Sequence, residues 1–216
     1  VIVMKIPLFY SDLFIEKNVG STSEREKLLN FILSVDSEIR NKYKPVLSMD
    51  DFVATYSGYN SLSEDGCFRF NINDTISDFK WLCDAINKLV DDAINNYISL
   101  DATHKIQVQK TKMRKSIALT WVNINDPESR IVLHEHKKGM FSFIYYIQST
   151  DTGDLILRNQ ANVMNECNLK SPFVSAFSYP PEDGDLILFP SWIPHEIKTN
   201  KSNMQRINVS GDIILK

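Results

Sequence analysis

The sequence predicts an α+β fold in which a β sandwich or jelly roll fills the second half of the chain and helices from the first half flank it. Three observations carry this expectation. Two amphipathic helical segments lie in the first half, the apolar period changes from helical to strand-like near Lys105, and a series of short apolar runs separated by turn residues occupies the rest. Many short strands in roughly one hundred residues suit two packed sheets with the helices buttressing one of them.

The composition agrees with a globular chain. Of 216 residues, 43% are hydrophobic and 24% charged, enough for a sizeable core and unlike a disordered sequence. One domain spanning 1–216 is expected: 1–104 would supply an N-terminal strand and helices that support the barrel, and 105–216 the jelly-roll core with the site. A net charge of -3 and a pI near 5.8 give no electrostatic case for nucleic acid or an anionic membrane as partner. No apolar run approaches the roughly 20 residues that span a bilayer. Cys67, Cys83 and Cys167 are odd in number and form no CxxC pair, which argues against a disulfide framework or a thiolate zinc site. A soluble, intracellular, cytoplasmic protein fits these features.

Taken in order, "VIVMKIPLFYSDLF" reads as a first strand, not an export signal, because Lys5 and Pro7 interrupt it and no basic leader precedes it. Val1 is not an initiator, so the chain begins inside a longer product or its natural start is Met4. "STSEREKLLNFILSVDSEI" predicts a helix opened by a capping box of Ser23 and Glu26, with Leu28, Phe31, Ile32, Val35 and Ile39 along one face. "DDFVATYSGYNSLSEDGCFRF" predicts a short strand and a loop. "ISDFKWLCDAINKLVDDAINNYISL" predicts a second helix whose paired apolar residues recur every four positions from Trp81-Leu82 to Tyr97-Ile98. The basic "KIQVQKTKMRK" suits an edge strand whose lysines block edge-to-edge pairing, or else a surface for phosphate or acidic groups. Strands follow at Ser116–Asn125, Ser129–His136, Met140–Gln148, Asp154–Asn159, Phe173–Tyr179, Asp185–Phe189, His195–Thr199 and Arg206–Leu215. No repeat and no Pro-, Gly- or Ser-rich linker divides the chain.

Chemistry concentrates on few residues. The chain has four histidines, and on a strand His134 and His136 would project to one face while Glu135 points away. By itself such a pair is either two satisfied polar residues or two legs of a metal site. His195, after the Pro-Ser-Trp-Ile-Pro turn of "GDLILFPSWIPHEIKTN", is a surface loop residue or, if the strand returns across the barrel, a third leg. His104 has no partner pattern and reads as structural. Arg206 opens "RINVSGDIIL", where it could hold an exposed ion pair or, turned inward, grip a carboxylate with its planar fork.

In this order of features, HxH, a YY-containing strand, "GDLILFPSWIPH" and an arginine on the closing strand, the chain resembles the 2-oxoglutarate- and Fe(II)-dependent dioxygenase superfamily. It is most similar to the prolyl-hydroxylase-like branch that includes oxygenases encoded by bacteriophages, cyanophages especially. The resemblance covers roughly Ser116 to Leu215. It implies a double-stranded β-helix (jelly roll) with N-terminal flanking helices, and a metal held by His134, His136 and His195. It also implies that Arg206 and Tyr146 bind the distal carboxylate of 2-oxoglutarate, that Asn208 stands at the third position of the family's RxS pattern, and that Asn123 lies near the other end of the co-substrate. Fe(II), 2-oxoglutarate and O₂ would be the cofactors. Hydroxylation would accompany oxidative decarboxylation of 2-oxoglutarate to succinate, on a protein side chain, a small molecule or a modified base, in the host cytoplasm if the gene is a phage's.

One departure stands out. The family pattern HxD has a carboxylate where this chain has His136, so three neutral imidazoles would leave the metal charge uncompensated. Asp154 could supply a carboxylate, although its Gly-Asp position at a strand start suggests a turn. Trp192 reads as packing. Two other readings stay open: a non-catalytic or metal-binding jelly-roll protein with a structural or interaction role in a phage, and a cupin-like metal enzyme without 2-oxoglutarate, which would not explain Arg206. Homo-oligomerisation is open as well.

Overall fold

The structure is a computed structural model that describes residues 3–8, 11–42, 67–72, 75–101, 115–136, 139–159 and 176–215. Helix α1 spans Thr22–Lys42 and is opened by Ser21, not by Ser23. The Ser21 amide and hydroxyl both donate to Glu24 Oε2 at 2.8 Å, and the Glu24 amide returns to Ser21 Oγ at 3.3 Å. Those two contacts, the amide's foremost, hold the Glu24 carboxyl below its ordinary range. The sequence offers the Ser-x-x-Glu spacing twice in succession, and the earlier copy makes the box. Helix α2 spans Lys80–Asp101. The segment before it, Ile76–Asp78, is a single 3₁₀ turn set off by Phe79, whose ψ of 60° lies outside the helical region. The expected continuous helix from Ile76 is therefore two elements.

Eleven strands are described. They are β1 Val3–Leu8, β2 Ser11–Glu16, β3 Cys67–Asn71, β4 Lys115–Asn125, β5 Ile131–His134, β6 Phe141–Gln148, β7 Leu155–Arg158, β8 Ala176–Tyr179, β9 Leu186–Pro190, β10 His195–Ile197 and β11 Arg206–Leu215. The larger sheet runs β1-β2-β9-β6-β11-β4-β3 and the smaller one β5-β10-β7-β8, with antiparallel pairing between neighbours. The N-terminal half does more than support the barrel, since β1, β2 and β3 extend both edges of the larger sheet. Where one N-terminal strand was expected, a hairpin pairs β1 with β2. His104, Cys167, Lys105 to Arg114 and the start of the strand expected from Phe173 lie outside the described residues. Cys83 is a free thiol. Among the described residues no helix is long and apolar enough to cross a membrane.

The two faces of the larger sheet serve two cores. From β11, Ile207, Val209 and Ile213 pack with Leu28 and Ile32 of α1 and with Leu82, Ile86 and Leu89 of α2. Tyr145 and Phe143 of β6 join them. Between the sheets lies a second core that includes Leu13, Ile144, Tyr146, Leu157, Phe189 and Ile197. Because side chains alternate along a strand, Arg206, Asn208, Ser210 and Asp212 all face the smaller sheet. All four are buried, so a polar row runs down the inside of the barrel.

Candidate metal and co-substrate site

His134 closes β5 and His195 opens β10, and the antiparallel register sets them directly opposite one another. His136 does not lie on the strand, as a same-face pair would require. It sits just past the end of β5, where its amide donates to the Ser191 carbonyl at 2.9 Å, so the turn after β9 aims it. The ring centroids are 4.3 Å apart for His134–His195 and 5.2 Å for each of the other two pairs. One nitrogen from each ring lies within 4.8 Å of the other two, close enough to share a metal ion.

The opposite edge of each ring is already engaged. His134 Nδ1 meets the Val132 carbonyl at 2.8 Å, His195 Nδ1 the Ile193 carbonyl at 2.9 Å, and His136 Nδ1 the Asp212 carboxylate at 2.6 Å. Each contact requires the proton on Nδ1 and leaves the Nε2 lone pair for a ligand bond. Three such nitrogens on one face suit a first-row transition metal, and hard oxygen-seeking cations far less. The donor set therefore fits iron, as it fits zinc, nickel or copper. Asp154 is not part of it: it accepts from Ser178 Oγ and, at 2.9 Å, from Lys198 Nζ, and those two bonds hold its carboxyl below the usual range.

Sequence reasoning passed over Asp212. Ser142 Oγ donates to the same Asp212 oxygen at 2.9 Å and lies 2.9 Å from Ser191 Oγ, so two serines accompany the His136–Asp212 pair. Gly139 closes over them, since a Cβ there would stand 2.5 Å from Ser191 Oγ and 3.2 Å from Asp212 Cβ. The available signal was the two-residue period that starts at Arg206 and reaches Asp212.

Away from the three histidines, the row continues. The cleft lined by the three histidines is also lined by Trp121, Asn123 and Ser210. Asn123 Nδ2 donates to Asn208 Oδ1 at 2.8 Å and to Ser210 Oγ at 3.1 Å. Asn208 therefore sits one hydrogen bond behind the cleft, and its own Nδ2 is buried with no hydrogen-bond partner among the described residues. Arg206 is fully buried, its Nη1 donating to the carbonyls of Thr152 at 2.9 Å and Gly153 at 3.1 Å. Tyr146 is also fully buried, and its hydroxyl has no partner among the described residues. Burial pushes the Tyr146 phenol well above its ordinary value, and the Arg206 charge opposes that only in part. Adjacent Tyr145 faces the helices instead and donates to the Val19 carbonyl at 2.8 Å. Neither Arg206 nor Tyr146 lines the cleft itself. Trp192, which reads as packing in the sequence, leaves a substantial part of its surface exposed.

Residues 119–212 match the family model described as "Putative 2OG-Fe(II) oxygenase". That stretch contains His134, His136, His195, Arg206 and Asp212. No curated protein matches the sequence. Among solved structures, a prolyl-4-hydroxylase from Pseudomonas putida aligns with a TM-score of 0.59 at 15% identity, covering 93% of this chain and 91% of that one. A prolyl hydroxylase from Trichoplax adhaerens, solved with a hypoxia inducible factor peptide fragment, aligns at 0.54 and 13% identity over 94% and 83% of the two chains. The viral collagen prolyl hydroxylase of Paramecium Bursaria Chlorella virus-1, a 2-oxoglutarate complex, aligns at 0.53 and 8% identity over 93% and 94%. The fold is thus the α+β double-stranded β-helix of the 2-oxoglutarate oxygenases.

Proposed function

We propose that the protein is a 2-oxoglutarate- and Fe(II)-dependent oxygenase that hydroxylates a substrate still to be identified. The observation that carries this reading is the convergence of three histidine nitrogens within 4.8 Å, inside the stretch matched by the oxygenase family model. His134, His136 and His195 would hold the metal by Nε2. When bound, Fe(II) and 2-oxoglutarate supply the oxidising chemistry with O₂, the co-substrate leaving as succinate and CO₂. The chain's own residues bind and orient. Arg206 presents a planar cation to the distal carboxylate, and the Tyr146 phenol, whose pKa burial raises further above neutral, donates to it. The Asn208 amide offers a further donor, and Asn123 lines the cleft nearer the metal. The Tyr146 hydroxyl and Asn208 Nδ2, without hydrogen-bond partners among the described residues, favour this assignment, because buried polar groups are normally satisfied and a carboxylate would satisfy both. Phe189, edge-on to His195 at 4.9 Å, and Ile144 keep water from that side of the site. In this reading the whole chain acts as one unit. A phage origin finds no support in these observations, and the proposal does not depend on it.

A second reading is a metal-binding jelly roll without turnover, favoured by the imidazole of His136 where the family has a carboxylate. One experiment separates them. Anaerobic protein with Fe(II) and 2-oxoglutarate should show the weak visible charge-transfer band of the chelate, Arg206→Ala should lose it at matched concentrations, and admission of O₂ should release succinate. Iron binding without a band, or a band indifferent to Arg206→Ala, would overturn the proposed co-substrate site.

A further inference from the structure

We infer that Asp212 is a positioning residue that supplies the metal face, through His136, with the negative charge its ligand set lacks. The inference rests on the reading of the three histidines as metal ligands. Their supports differ in kind: His134 and His195 rest on main-chain carbonyls, whereas His136 rests on a carboxylate. The ligand standing in the carboxylate's place is therefore the one with a carboxylate behind it. A carboxylate hydrogen-bonded to the far nitrogen of a ligating imidazole fixes the ring and makes it a stronger donor, passing part of its charge toward the metal.

The surroundings are built to keep that carboxylate in place. Asp212 is buried, with Ser142 Oγ donating to the oxygen that meets His136. Ser191 Oγ lies within hydrogen-bond distance of Ser142, and Gly139, lacking a Cβ, approaches Ser191 and Asp212 without displacing either. Asp212 also stands at the metal end of the inward-facing row of β11, opposite Ser142 in the sheet register, while Arg206 stands at the other end. One strand then furnishes a cation for the co-substrate and an anion for the metal.

The test is metal affinity, read with Fe(II) alone under anaerobic conditions and with Co(II) as a second probe. Asp212→Asn keeps the size and the acceptor oxygen but removes the charge, and should weaken binding by about 10- to 100-fold. His136→Asp places a carboxylate on the metal directly, so adding Asp212→Asn in that background should weaken binding little or not at all. Melting of the metal-free proteins separates charge from folding. Wild-type affinity in Asp212→Asn, an equal loss in both backgrounds, or a loss that tracks metal-free stability would each overturn the inference. Wild-type protein that binds no metal would overturn the oxygenase reading as well, so the two failures are distinguishable.

Discussion

Replacing Tyr146 by phenylalanine should move stability and co-substrate affinity in opposite directions. The side chain is fully buried and its hydroxyl finds no hydrogen-bond partner among the described residues. A buried polar group left unsatisfied costs about 1–3 kcal/mol. Removing the oxygen while keeping the ring relieves part of that, so the ligand-free protein should gain on the order of 1 kcal/mol, a rise in Tm of roughly 2–4 °C for a chain of this size. The same oxygen, protonated across the neutral range as any phenol is and held more firmly so by burial, is the proposed donor to a carboxylate. Hydrogen bonds to charged groups contribute about 1.5–3 kcal/mol, which corresponds to roughly 10- to 100-fold in affinity for 2-oxoglutarate. Calorimetric melting of the ligand-free protein and anaerobic titration with 2-oxoglutarate read the two effects. Tyr145→Phe is the built-in control: it loses the bond to the Val19 carbonyl, so it should cost about 1 kcal/mol and leave 2-oxoglutarate affinity unchanged. If Tyr146→Phe destabilises the ligand-free protein as Tyr145→Phe does and binds 2-oxoglutarate normally, its hydroxyl is a structural group and the assignment fails.

Three further substitutions probe how the elements are set. Gly153 has φ +101°, and a Cβ there would lie 2.6 Å from the Lys198 carbonyl, so Gly153→Ala should destabilise by about 1–3 kcal/mol in thermal melts. Its carbonyl holds Arg206, so 2-oxoglutarate titrations should weaken while Fe(II) affinity stays near wild type; an unchanged co-substrate affinity would contradict that coupling. At α1, Ser21→Ala should lower stability by on the order of 1 kcal/mol and Ser23→Ala by little, and denaturant melts showing the reverse order would restore the later capping box.

Much of the candidate site was legible locally. His134, His195, Arg206 and Tyr146 sit on strands whose apolar periods are plain in the sequence, and the spacing of "FPSWIPH" places a histidine at the start of a returning strand. His136 joins the other two rings for a reason other than the two-residue period: the strand ends at His134, and a bond to the Ser191 carbonyl aims the third ring. The β1–β2 hairpin was missed because "VIVMKIPLFYSDLF" reads as one apolar run, and pairing of β2 with β9 is what gives the second strand its place in the sheet. Asp212 lies inside the strand expected at Arg206–Leu215, but the strand period only assigns a side chain to a face and does not say which ring it meets, so its partnership with His136 was not legible.

The sequence by itself determined which residues alternate: the inward row from Arg206 to Asp212 and the outward row from Ile207 to Ile213 follow from the strand period alone. Which members of the row meet which partners was decided only by tertiary structure, because that depends on sheet register. The pairing of β10 with β5 sets His195 opposite His134, and the pairing of β11 with β6 sets Asp212 opposite Ser142. A shift of one residue in either would turn these side chains to the other face and separate the imidazoles from the carboxylate behind them.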